Sequence, residues 1–215
     1  VKSDNDCLSN IKKKFTYHLN VLKLQTYFPI LSTYFDFYNG SKTQFTLKSR
    51  YYIKDILEKE EYKIDDSYIK NFLKCKICDV TTNNTKDTHI FVKELPLLNV
   101  THYLTNEYLL ENSYLPNTYY LNTLKKINNV NNTAYIDAFY SYLGSSLTET
   151  GKCPTFPIFY GTFTGIKTNF KTDITEDLDD LSENESFIRG LGIKYKIEEF
   201  ELEKDPIVNE DLLNR

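Results

Sequence analysis

The sequence predicts an α+β fold: a small antiparallel sheet, one long helix, and an amino-terminal helical extension in front of both. Three observations predict it. Residues 73–80 and 89–95 each alternate apolar with polar side chains, and the polar run 81–88 separates them, which is the pattern of a β-hairpin. Residues 133–148 carry Ala134, Phe139, Tyr142 and Leu143 at helical spacing, with Thr133 as the expected cap. Residues 8–38 repeat the helical period through Leu19, Leu22, Leu24, Phe28, Leu31 and Phe35, with Pro29 as a break or a new first turn.

The remaining elements follow from local signals. The helical extension takes residues 1–44, within which Asn39-Gly40-Ser41 reads as a turn. Residues 45–59 mix strand-like alternation (Phe45, Leu47) with a charged tail, so both element types stay open there. Asp65-Asp66-Ser67 predicts the cap of a short helix through about Leu73. Residues 101–127 suit short helices interrupted at Pro116, and 128–132 form a polar loop before the long helix. Gly151 ends that helix, and Phe156-Pro157-Ile158-Phe159-Tyr160-Gly161 is a strand candidate. The acidic stretch 172–186 is expected to be an exposed or mobile insert. Residues 193–202 alternate again and predict a last strand, and 204–215 form a polar tail.

Composition limits the function classes. A chain of 215 residues suits one large domain, or one domain with an extension. With 18 Tyr, 14 Phe and neither Met nor Trp, its core must be built on aromatics, many with a hydroxyl at the core edge. A net charge of −4 argues against nucleic acid as the main partner, because phosphate binding needs clustered cations. The one basic cluster, Lys12-Lys13-Lys14, suits a solvated helix face. No apolar run approaches the roughly 20 residues of a membrane span, and no signal-peptide pattern opens the chain. Four cysteines are too few for a disulfide scaffold, so reduced thiols in a cytoplasmic compartment are expected. The first residue is Val1, which suits a piece of a longer polypeptide.

Three chemical motifs reduce to ordinary roles. Cys75-Lys76-Ile77-Cys78 has the spacing of half a zinc site, but no second cysteine pair supplies the other ligands, so buried structural cysteines are expected. His18, His89 and His102 have no neighbouring Ser or Cys arrangement of the triad kind. The acids from Asp173 to Glu185 lack the glycine and ligand spacing of a calcium loop.

The order of hairpin, lysine-bearing strand, long helix, proline turn and strand is that of a protein-kinase amino-terminal lobe. Ile90-Phe91-Val92-Lys93-Glu94-Leu95-Pro96-Leu97-Leu98 resembles the lysine strand of kinase-like proteins of large nucleocytoplasmic DNA viruses. Ala134-Tyr135-Ile136-Asp137-Ala138-Phe139 resembles their following helix. Cys153-Pro154-Thr155-Phe156-Pro157-Ile158-Phe159-Tyr160-Gly161-Thr162-Phe163 resembles the His-Pro-Asn-Ile … Leu-Tyr-Gly turn and strand of many kinases. The resemblance covers residues 45–165.

The resemblance implies a kinase-like amino-terminal lobe over 45–203, with ATP and magnesium as cofactors. It implies that Lys93 holds the α/β-phosphates and that Asp137, where the family has Glu, pairs with Lys93. The whole protein would transfer phosphate from ATP to serine or threonine in proteins, in host cytoplasm or in a virion. Two departures stand out. Residues 60–92 contain no glycine with which to cover phosphates, and the His-Arg-Asp…Asn and Asp-Phe-Gly elements are absent through Arg215. No catalytic residue is therefore assigned in this segment, and its expected partner is the missing catalytic lobe or another protein. The alternative is a catalytically dead kinase-like module that binds or builds, for instance as a virion component.

Overall fold

In the computed structural model the described residues are 2–25, 27–29, 49–65, 68–110 and 120–199, and the side chains of 2–9, 60–65 and 68–71 are left aside. They form α1 (Lys2–Leu19), β1 (Val21–Gln25), β2 (Tyr51–Asp65), β3 (Tyr68–Asp79), β4 (Thr85–Val92), α2 (Val100–Leu104), α3 (Leu121–Ile127), α4 (Thr133–Glu149), β5 (Thr164–Lys167), a 3-10 turn (Thr175–Asp177), α5 (Leu178–Ser182) and α6 (Glu185–Gly190). The fold is mixed α+β with two small antiparallel sheets: β2–β3–β4, and the two-stranded ribbon β1–β5.

The expected hairpin is β3–β4, and its register pairs Leu73 with Ile90. Alternation on β3 puts Leu73, Cys75 and Ile77 on one face, each at 1% exposure or less. They meet Ile11, Phe15 and Leu19 of α1, with Ile56 of β2 and Ile90 of β4, in one core. Ile11, Phe15 and Leu19 recur every four residues, so α1 lays a single apolar stripe on the sheet. Lys14, beside that stripe, donates to Asp55 Oδ1 at 2.6 Å and to Ile56 O at 3.0 Å, which fastens α1 to β2.

Several expectations are corrected. The helix that opens the chain stops at Leu19, because Asn20 takes a left-handed φ of 54° and hands the backbone to β1. The rest of the expected helical stretch, from residue 30, lies outside the described residues, as do Asn39-Gly40-Ser41 and Pro116. The helix expected from Asp65 to Leu73 is instead strand from Tyr68 onward, where pairing with β2, and from Asn71 with β4 as well, overrides a local cap signal. Residues 51–59, left open above, are strand. Residues 156–161 are irregular, and the strand of that region is Thr164–Lys167. There the Phe159 amide donates to Ser145 Oγ at 2.9 Å instead of to a neighbouring strand.

The strand expected over 193–202 is a turn and irregular backbone through 199. Gly192 has a φ of 75°, Ile193 is 84% exposed, and Tyr195 stacks on Phe187. The acidic stretch carries the 3-10 turn and α5 and enters α6. Its carboxylates face solvent, yet Leu181 is buried at 1% in a second cluster with Phe187 and Leu104. Among the described residues no helix is long and apolar enough to cross a membrane.

Candidate functional site

The site is built where β4 ends and α4 begins. Lys93 is the first residue beyond β4, and Asp137 lies in the second turn of α4. The structure brings them together: Lys93 Nζ stands 2.5 Å from Asp137 Oδ1, with the two side chains 54% and 35% exposed. An exposed pair of this kind stabilises little, so its interest is its placement. Among the described residues, Asp137 is the carboxylate paired with the Lys93 ammonium.

Local structure explains how α4 arrives there. Asn132 is the helix cap: its side-chain oxygen accepts from the Ala134 amide, while its Nδ2 donates to Leu97 O at 2.8 Å and Lys126 O at 3.2 Å. Leu97 lies four residues beyond Lys93, so one buried amide joins the start of the helix to the segment that bears the lysine. The expected cap, Thr133, is instead the first helical residue and is exposed. Tyr135 is buried at 2% and donates to Ile127 O, with its hydroxyl held protonated by burial and by nearby Tyr27. Phe28 packs edge-on against the Tyr135 ring.

Of the apolar stripe that the periodicity of α4 suggested, Ala134, Phe139 and Tyr142 are half-buried, and Tyr142 packs edge-on against Phe159. Leu143 is 38% exposed, whereas Tyr135, Gly144 and Ser145 are the buried positions. A Cβ at Gly144 would strike the Phe156 ring, so this glycine lets the 156–161 segment lie against the helix. At the far end of α4, Glu149 accepts from Ser145 Oγ at 2.9 Å and, at longer range, from Ser49 Oγ and the Arg50 amide. The helix is thus tethered near Lys93 at one end and near the start of β2 at the other.

The β3–β4 turn contains no glycine, and Asn83 takes its left-handed position at φ 57°. Asp79 fixes this turn by accepting from the Thr81 amide and hydroxyl, and Arg50 donates to both of its oxygens. These partners hold the Asp79 carboxyl well below the usual range. The β2–β3 turn, Asp66-Ser67, lies outside the described residues.

Cys75 and Cys78 are both buried, and burial together with Asp55 pushes the Cys75 thiol up to about 12. Cys153, following α4, is partly exposed and its thiol is lowered by the Thr155 hydroxyl. Among the described residues no group of three or more His, Cys, Asp or Glu could hold a metal ion. Magnesium therefore finds no ligand set among the described residues. A cavity of about 270 Å³ lies away from the pair, lined by Asn106, Glu107, Leu109, Tyr120, Leu121 and Asn122.

Compared with protein-family models, with curated proteins and with solved structures, the chain matches none.

Asn132 is the residue that sequence reasoning missed. Asn is among the best helix caps and stands directly before the helix, which was the available signal.

Proposed function

We propose that the chain is the amino-terminal, nucleotide-holding part of a viral serine/threonine protein kinase that transfers phosphate from ATP to protein, and that it is inactive without a catalytic lobe. The observation that carries this reading is the ion pair between Lys93 and Asp137. A kinase needs one lysine on a strand to hold the α/β-phosphates, and one acid on a following helix to orient that lysine; here Lys93 is the first residue beyond β4, and α2 and α3 precede the helix that carries Asp137. The short Asp side chain reaches Lys93 because Asn132 draws the start of α4 onto Leu97. ATP would bring its magnesium with it, the remaining metal ligands belonging to the absent lobe.

A second reading has its own support. The absence of glycine from residues 60–92, where a phosphate-covering loop would lie, favours a catalytically dead kinase-like module that binds a protein partner or builds a virion.

Thermal unfolding with and without ATP and magnesium separates the two. Ligand at 100 times its dissociation constant should add about 2.7 kcal/mol to the wild-type chain and nothing to Lys93→Ala. No shift in the wild type removes the nucleotide reading and leaves the module.

A further inference from the structure

The acid beside the candidate lysine is committed elsewhere. Glu94 Oε1 accepts from Lys167 Nζ at 2.8 Å, and the same ammonium donates to Leu19 O at 2.6 Å. These side chains are the more enclosed of the neighbouring pairs, at 26% and 23% exposure against 35% and 54% for Asp137 and Lys93. Lys167 is the last residue of β5 and pairs with Val21, the first residue of β1. Leu19 closes α1 inside the core. One cation therefore joins the end of α1, the β1–β5 ribbon and the segment that leaves β4. The other anchor of that segment is the Asn132 bond to Leu97 O. Glu94 is the first of these two fixed points and Lys93 stands directly before it, one side chain turned to β5 and the other to α4.

We infer that Glu94 and Lys167 are positioning residues for Lys93: their pair clamps the chain at the exit of β4 and keeps the Glu94 carboxylate occupied, so that Asp137 is the acid Lys93 meets. The inference rests on the nucleotide reading for its purpose, since a free carboxylate next to Lys93 would repel a phosphate. It also gives α1 a part in the site, because Lys167 takes its second acceptor from the last carbonyl of that helix.

The test reads the environment of Lys93 directly, in the full chain and without nucleotide. An amine-acylating reagent is applied under limiting conditions, and modification of Lys93 is followed by peptide mass spectrometry. Asp137→Asn sets the ceiling, raising the Lys93 rate several-fold. Glu94→Gln is expected to raise it towards that ceiling, because the clamp is lost and no carboxylate takes the place of Asp137, while Lys167→Arg, which can still bridge Glu94 and Leu19 O, stays near wild type. Glu94→Gln leaves the Lys167 bond to Leu19 O in place, so the end of α1 keeps its anchor. A Lys93 rate that rises in Asp137→Asn and stays at the wild-type level in Glu94→Gln overturns the inference, as does a rate that ignores Asp137→Asn. Because no nucleotide is present, absence of an ATP shift in the wild type would strike the proposed function alone and leave this result standing.

Discussion

The sheet region and the carboxy-terminal helices bury themselves by different means. Around β2–β4, side chains from α1 and all three strands interlock in one core, and the alternation of β3 alone supplies Leu73, Cys75 and Ile77. Around α2, α5 and α6 the buried hydrophobic cluster among the described residues is Leu104, Leu181 and Phe187, and hydrogen bonds do much of the holding. Tyr195 donates to Phe187 O at 2.6 Å and to Leu104 O at 3.2 Å, and Asn184 caps α6 through the Ser186 and Phe187 amides. The first region rests on apolar area, the second on a few contacts that tie short helices together. Regions of the second kind open locally at lower cost than the core they adjoin.

The largest effect that would sharpen this contrast is expected at Leu73. Leu73→Ala removes a side chain at 1% exposure from the centre of the main core and should cost about 3 kcal/mol of global stability, read as a lower urea midpoint. Phe187→Ala removes a larger ring but should act mainly on its own neighbourhood. Hydrogen exchange should speed up in residues 185–195, while β3 amides keep their protection. A loss of β3 protection in Phe187→Ala would show that the two regions unfold as one and would break the comparison.

A smaller effect concerns the thiols. At pH 8, iodoacetamide should modify Cys153 well before Cys75 and Cys78, which are buried among the strands and should react only on unfolding. The sign of the Cys75 contribution follows from its raised value. The unfolded chain releases the proton near 9.0, and the folded chain holds it to about 12, so this contribution is lost as pH rises through that window. Cys75→Ala should flatten that part of the alkaline unfolding curve. Equal alkylation rates for Cys75 and Cys153 would contradict the assignment.

Much of this structure was written locally. The β3–β4 hairpin and α4 follow from period-2 and helical patterns within single segments, and Lys93 with Asp137 came from a resemblance in short motifs. What stayed hidden depends on distant partners. The β1–β5 ribbon joins Val21 to Lys167, which no local pattern announces. Asn132 stands at a cap position in the sequence, but its bond to Leu97 O, which ties the helix start to the segment after β4, shows only in the fold. Residues 156–161 have the composition of a strand, yet their backbone is satisfied by the side chain of Ser145 on α4. Leu181 and Phe187 were masked by the acids around them, since composition averages over positions and burial does not.

The central claim is that Lys93 and Asp137 act as one unit on a nucleotide. The most direct measurement is ATP–magnesium affinity, by equilibrium dialysis, for the wild-type chain, Lys93→Ala, Asp137→Ala and the double variant. The account predicts that the wild type binds, that each single variant weakens binding, and that the double variant is little weaker than Lys93→Ala alone, because Asp137 works through the lysine. Losses that simply add, or a wild-type chain that binds no nucleotide, would contradict it.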